Sequence, residues 1–477
     1  LDRREASPRP PPGASSDSAM NLQEVAPDEP RNSELLFVSF NQDFGCFACG
    51  TESGFRIYNV EPFKETFRRK FSGGGIGIVE MLFRCNLLAL VGGGRSPRYP
   101  PNKVMIWDDH QSRCIGELSF RSEVRAVKLR RDRVVVALAT KIYVYRFSDL
   151  KLLDQISTQV NQRGLVALCP HPAHTVLACP GVNRGHVRVE LYDARKSTIV
   201  AAHESDLCRL ALNADGSLVA TASDKGTLVR VFDTRTGAQV RELRRGVDRA
   251  VVYSIAFDAD SQYVACTSDK GTAHVFSIRG TPGSASSSSA RTASGDGYAL
   301  QQQQDPTIVT QRMGSHSGSS TTTSGNTTNA RAAGLYGGAG SAAETAAAAD
   351  HHHRNGDASG APGSSSGAEA VAPAAPQNNA KSNLSFLRRV VPGGLASSYL
   401  ESEWSFAQVR GLEAPTMCAF GAEPNTLVVV GADGSFLVSS FAQGGECERL
   451  KFSKFIRSVD DDDDDGAAAA ASDDGAE

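Results

Sequence analysis

Two stretches of this chain read almost alike. Thr221-Ala222-Ser223-Asp224-Lys225-Gly226-Thr227-Leu228-Val229-Arg230-Val231-Phe232 returns as Cys266-Thr267-Ser268-Asp269-Lys270-Gly271-Thr272-Ala273-His274-Val275-Phe276, with forty-five residues from Ser223 to Ser268. Each copy joins two β-type runs through a Ser-Asp-Lys-Gly turn, so each specifies a hairpin. A period of about 45 residues is that of a four-stranded propeller blade. Weaker copies stand at 49–58, 104–108, 141–145, 187–193 and 431–436, which brings the number to seven. Seven such units close a ring, and the expected fold is all-β, a seven-bladed propeller spanning 34–457.

The remainder is poor in the apolar residues a core needs. Residues 1–33 are rich in Pro, Ser and charge, 281–380 are almost entirely Ser, Ala, Gly, Thr, Gln and Asn, and 458–477 are acidic. None can bury enough surface to fold alone, so disordered termini and a long disordered loop are expected. The loop interrupts blade six. Val275-Phe276-Ser277-Ile278 ends one strand, and Trp404-Ser405-Phe406-Ala407-Gln408-Val409 reads as the next. Between them, at 384–391, Leu384, Phe386, Leu387, Val390 and Val391 surround Arg388 and Arg389, a short apolar and basic segment suited either to a lipid interface or to packing back on the propeller. The formal charge of −3 includes nine carboxylates of the tail, so the rest of the chain carries +6 and suits an anionic surface.

The candidate chemistry lies in blades five and six. Leu243-Arg244-Arg245-Gly246 closes blade five. Adjacent residues of a strand point to opposite sides, so the two arginines can each line a separate pocket, and guanidinium groups grip phosphate through paired, charge-assisted hydrogen bonds. The duplicated motif supplies further donors twice: His203, Ser223, Gly226, Thr227 and Arg230 in blade five, and Ser268, Lys270, Gly271, Thr272 and His274 in blade six. The same residues also suit ordinary hairpin turns and a structural blade histidine.

The Arg-Arg-Gly motif with this Ser/Thr/His pattern resembles the PROPPIN family, the WD-repeat proteins interacting with phosphoinositides, and most closely its branch of WD-repeat domain types 45 and 45B. The strings Phe40-Asn41-Gln42-Asp43, Val79-Glu80-Met81-Leu82-Phe83-Arg84, Leu88-Ala89-Leu90-Val91-Gly92-Gly93-Gly94, Pro100-Pro101-Asn102-Lys103-Val104-Met105-Ile106-Trp107-Asp108-Asp109 and Cys418-Ala419-Phe420-Gly421 extend the match. The resemblance implies a WD40-type propeller with two headgroup sites for phosphatidylinositol 3-phosphate and 3,5-bisphosphate, Arg244 in the first and Arg245 in the second. It further implies an autophagy effector and scaffold with a membrane-inserting loop in blade six. A lipid-transfer partner of the autophagy-related protein 2 type would dock on early blades, and Asn41 and Asp43 of a polar blade-one turn are the candidate contacts. That turn could equally satisfy its own backbone. The place of action so implied is cytoplasmic, at phagophore or preautophagosomal and endosomal or vacuolar membranes, with the chain acting as a monomer.

Other classes fit poorly. Ten cysteines, several inside apolar runs, read as buried thiols of a reducing compartment, and the lone Cys46–Cys49 pair has no second pair to complete a zinc site, so no metal is expected. No apolar run approaches a membrane span, and residues 1–5 lack the core of a signal peptide, so a soluble, intracellular chain is expected. The glycines at 92–94 are followed by no Gly-Lys-Ser/Thr, no nucleophile motif is present, and the expectation is a non-enzyme without cofactor. A modest +6 over a large body with two tryptophans does not suit nucleic acid. A WD40 protein-interaction scaffold without direct lipid binding is the alternative, because most propellers bind proteins.

Overall fold

In the computed structural model, residues 19–22, 34–278, 379–381 and 403–456 are described. They form seven sheets, antiparallel but for the short strands Glu403–Trp404 and Gly445–Glu446, which pair in parallel. Blade one occupies 35–70, blade two 76–119, blade three 126–157, blade four 167–201, blade five 207–244, blade six 252–277 with 407–410, and blade seven 416–454. All seven motif copies fall on blade hairpins. Among the described residues no helix is long and apolar enough to cross a membrane.

Burial falls outward along each blade, and the sequence shows why. First strands such as Leu35–Phe40 and Ile76–Met81 are mostly apolar and wholly buried, Ser39 and Glu80 included, because neighbouring blades cover both of their faces. The outer strand Lys64–Lys70 instead alternates between exposed and half-buried positions. The strand Cys46–Thr51 shows the two-residue period directly: Cys46 and Ala48 join the core toward blade two, while Phe47 and Cys49 join the core toward blade seven. Cys46 and Cys49 therefore face apart.

Aromatic packing closes the ring. Phe63 stacks on Phe436 at 4.1 Å between centroids, Phe47 packs on Phe436 and Phe455, and the Tyr58 hydroxyl reaches the Phe455 carbonyl at 3.0 Å. Here one expectation is corrected. Within the Pro/Ser-rich segment 1–33, Ala19–Asn21 form a strand on Leu35–Phe40, with Met20 opposite Val38. Met20 and Leu22 are buried in the closing core. Residues 19–22 are ordered there because the edge of blade one supplies hydrogen bonds to 19–21 and the closing core covers Met20 and Leu22.

A second correction concerns blade six. From sequence, 404–409 is one strand. The chain instead splits it: Glu403–Trp404 runs parallel on the outer strand of blade five, and only Ala407–Arg410 completes blade six. The low-complexity segment also ends in structure, since Ala380–Lys381 pairs with Glu403–Trp404. The candidate membrane residues Leu384, Phe386, Leu387, Val390 and Val391 lie outside the described residues.

Phe436→Ala is expected to cost about 3–5 kcal/mol in chemical denaturation, because a fully buried ring at the closure is removed. Ile199→Ala, on an exposed outer position, should stay within about 0.5 kcal/mol of wild type.

Candidate functional site

The two Ser-Asp-Lys-Gly turns stand side by side on neighbouring blades. In blade five the turn closes with the Gly226 amide donating to the Ser223 carbonyl at 2.8 Å, and in blade six Gly271 donates to Ser268 at 3.2 Å. Only glycine fits at 226: φ is +61°, and an added Cβ would meet the Ala250 carbonyl oxygen at 1.8 Å. The loop that carries Ala250 therefore lies hard against the first turn. It also binds the second, since the Val251 amide donates to Asp269 Oδ1 at 3.0 Å.

Arg244 and Arg245 are both buried at the end of this outer strand. Arg244 is paired with Leu228 on one side and with Trp404 on the other. Arg245 leaves the strand after its amide bonds Thr227 O at 2.9 Å. Its Nε donates to Gly226 O at 2.7 Å, and its Nη2 donates to Asp248 O. These contacts use two of the five guanidinium N–H groups. From sequence Arg245 and Gly226 belong to different residue groups, whereas in the structure the Arg245 Nε bond to the Gly226 carbonyl links the two groups.

Each of the two residue groups contains a buried histidine. His203 Nε2 lies 3.0 Å from Thr221 Oγ1, and His274 Nδ1 lies 3.0 Å from Ser405 Oγ. Burial, reinforced by the nearby Arg230 charge, pushes His203 down to about 4; burial, reinforced by Arg245 and Arg410, pushes His274 down to about 4. At neutral pH both are uncharged hydrogen-bonding groups set beside guanidinium cations, the combination that suits a phosphorylated polyol.

The remaining expected residues divide. Arg230 lies in the first group, but its Nε donates to Glu242 at 2.9 Å and its Nη1 to the Ala202 carbonyl at 2.7 Å, so much of its charge is balanced within the blade. Ser223, Thr227 and Ser268 serve chiefly through backbone carbonyls of the turns, and Thr272 Oγ1 donates to Lys270 O at 3.4 Å. Lys270 is exposed, with Nζ 3.8 Å from Asp269. Sequence reasoning missed Thr221, Glu242, Ser405 and Arg410. The last two arrive from beyond the insert, where Gln408 pairs with His274 in register and donates to Ser405 Oγ at 3.1 Å.

In the blade-one turn, Asn41 and Asp43 bond the backbone of their own turn, the second of the two readings. Asn41 is buried; its Oδ1 accepts from the Cys46 amide at 3.1 Å and its Nδ2 donates to Phe83 O at 3.3 Å. It therefore fails the requirement of an exposed turn free to bond outward. Asp43 is exposed, holding the Gly45 amide at 2.9 Å and lying 3.4 Å from Arg84.

A family model described as PROPPIN matches residues 34–324. The chain belongs to the PROPPIN family. PROPPINs are phosphoinositide-binding propellers, not enzymes. Autophagy-related protein 18e of Arabidopsis thaliana is 43% identical over 261 residues, which cover 53% of this chain and 69% of that protein. SVP1-like protein 2 of Pichia angusta is 40% identical over 264 residues, 54% of this chain and 72% of the relative. Among solved structures, Kluyveromyces marxianus Hsv2 aligns with a TM-score of 0.55 at 19% identity, covering 88% of this PROPPIN and 98% of the other chain. A complex of KlAtg21 with the coiled-coil of AgAtg16 aligns with a TM-score of 0.55 at 21% identity, covering 89% and 100%. At such identities the structures speak to the fold alone, and they agree with the propeller described above.

The histidines of this PROPPIN make its stability depend on pH. Their folded values lie below the 6.5 of a free imidazole, so the unfolded chain takes up protons first. The contribution is complete above pH 6.5 and is lost as pH falls toward 4, by roughly 2 kcal/mol per histidine at pH 5. Thermal melts at pH 7 and pH 5 should show this loss, and His203→Gln/His274→Gln should show a smaller one.

Proposed function

We propose that this PROPPIN is a peripheral membrane protein of autophagy that binds phosphatidylinositol 3-phosphate and 3,5-bisphosphate through two adjoining pockets, Arg244 in the first and Arg245 in the second. The observation that carries this reading is the duplication itself: two glycine turns, each with a buried neutral histidine, flank a pair of buried arginines at the junction of blades five and six. A hairpin needs its glycine for the turn, but folding alone does not require a histidine to be buried among cations, where it is forced to stay neutral. Anionic headgroups complement the charge of these cations. Two weak sites on one rigid rim bind a membrane by avidity.

Flotation with vesicles across a phosphoinositide panel tests this. Arg244→Ala and Arg245→Ala should each retain partial binding, and the double variant should lose it. Titration showing one headgroup per chain would sink the two-pocket assignment, and a wild-type chain that ignores every phosphoinositide would favour the protein-scaffold reading.

The autophagy role rests on family membership, with relatives that are named autophagy-related proteins. We assign partner docking, to a lipid-transfer protein of the autophagy-related protein 2 type, to the blade-one turn through exposed Asp43 rather than buried Asn41. Asp43→Lys should reduce co-purification of that partner without lowering vesicle binding; an unchanged yield would move the docking surface elsewhere.

A further inference from the structure

Blades five and six correspond residue by residue through their ladders, even where their sequences do not align. In blade five Leu228, Val229 and Arg230 pair with Arg244, Leu243 and Glu242 of the outer strand. In blade six Thr272, Ala273 and His274 pair with Arg410, Val409 and Gln408. The preceding ladders fix this offset: Ala222, just before Ser223, faces Val229, and Thr267, just before Ser268, faces Ala273. Arg410 therefore stands in blade six where Arg244 stands in blade five.

The two-residue period of a strand says which way each arginine turns. Leu243 is buried in the core shared with blade six, and Val409 in the core shared with blade seven. Arg244 and Arg410, one residue on, point to the opposite faces, toward blades four and five. That face of blade six also carries His274, and across the junction blade five ends in Arg245. Arg245 and Arg410 both add to the downward push that burial exerts on His274, so both guanidinium groups lie close to its ring.

The two groups differ in charge at equivalent positions. Blade five sets Arg230 against Glu242, Nε to Oε2 at 2.9 Å, where blade six has neutral His274 and Gln408. Arg410 Nη2 donates to Gln408 Oε1 at 3.2 Å, and among the described residues neither Arg410 nor Arg245 pairs with a carboxylate. The turn lysines are each offset by an acid, Lys225 by Glu204 at 3.7 Å and Lys270 by Asp269 at 3.8 Å. Two arginines and one glutamate leave the first group a single positive charge; two arginines leave the second group two. We propose that Arg410 makes the second group a site for headgroups with two ring phosphates, one held by Arg245 and one by Arg410, while the first group takes a single ring phosphate. The inference rests on the phosphoinositide reading given above and sorts its two lipids between the two groups. A guanidinium holds phosphate by paired, charge-assisted hydrogen bonds, so a second one selects for a second phosphate where another neutral donor would not.

Calorimetric titration with soluble inositol 1,3-bisphosphate and inositol 1,3,5-trisphosphate reads each group alone in Arg244→Ala, which keeps the second, and Arg245→Ala, which keeps the first. Arg244→Ala should bind the trisphosphate about tenfold more tightly than the bisphosphate, and Arg245→Ala should show little preference. Adding Arg410→Gln to Arg244→Ala should erase the preference with bisphosphate affinity unchanged; adding Gln408→Glu, which installs the acid of blade five, should do the same. Arg410→Lys should retain most of it. Arg410 is exposed, so these changes leave the core intact. With the full chain otherwise unaltered, Arg410→Gln should weaken flotation on vesicles carrying phosphatidylinositol 3,5-bisphosphate and spare flotation on vesicles carrying the 3-phosphate. Equal preference in both groups, a preference that survives Arg410→Gln, a parallel loss of bisphosphate affinity, or an effect confined to the soluble headgroups would each overturn the proposal. Wild type that binds neither headgroup and floats with neither vesicle would instead overturn the function on which the inference rests.

Discussion

Side chains that reach one repeat ahead hold this propeller together. Ser39 Oγ donates to Val79 O at 2.7 Å, Arg130 to His174 O at 2.6 Å, Arg209 to Tyr253 O at 2.6 Å, and Asn213 to Ser261 Oγ at 2.8 Å. The sequence separations, 40, 44, 44 and 48, track the blade period. Thr267 makes the equivalent bond to Thr416 O at 2.7 Å across 149 residues, because the insert intervenes. Each such bond contributes about 1 kcal/mol net, yet losing one partner leaves a buried carbonyl or guanidinium unsatisfied and costs more. Arg209, wholly buried, is the strictest case. Apolar packing alone would let blades slide, since dispersion has no direction. Hydrogen bonds at a fixed offset lock the angle between blades.

That locked angle is what makes the site. Neither arginine is placed by blade five alone: the wall around Arg245 needs the 246–251 loop pinned to turns on two blades, and His274 needs Ser405 on the far side of the insert. A change of a few degrees between blades five and six would separate groups that now lie within hydrogen-bond reach. Arg209, which joins those blades through Tyr253, therefore supports the site without touching it. The cations crowded there cannot both repel protons from the histidines and stay put unless the scaffold holds them, and the buried bonds to Gly226, Asp248, Glu242 and Ala202 do so.

Repetition explains what was readable from sequence. Ser223 and Ser268, Gly226 and Gly271, Arg244 and Arg245 declare themselves because they recur at the blade period or stand next to each other. Ser405, Arg410, Asn379 and Glu403 do not, because 131 residues separate His274 from Ser405 and no period survives an insert of arbitrary length. Met20 was hidden for another reason. A three-residue strand has no periodicity to detect, and its stability comes from an edge and a cavity supplied by residues far away in the chain. Asn41 shows why a polar turn carried two readings: an amide with partners on both its oxygen and its nitrogen can be buried without penalty.

The same physics explains why blade six can carry so long an insert. Closing a loop costs entropy that grows only logarithmically with length, so the step from a short loop to a very long one is small once both ends are fixed. What matters is where the ends are fixed. Asn379 returns the chain to the residue it left from, and its amide substitutes for a strand partner at Ser277, so the propeller meets almost the same boundary as it would with a short turn. The low-complexity residues can then vary in number without disturbing the spacing of the arginines.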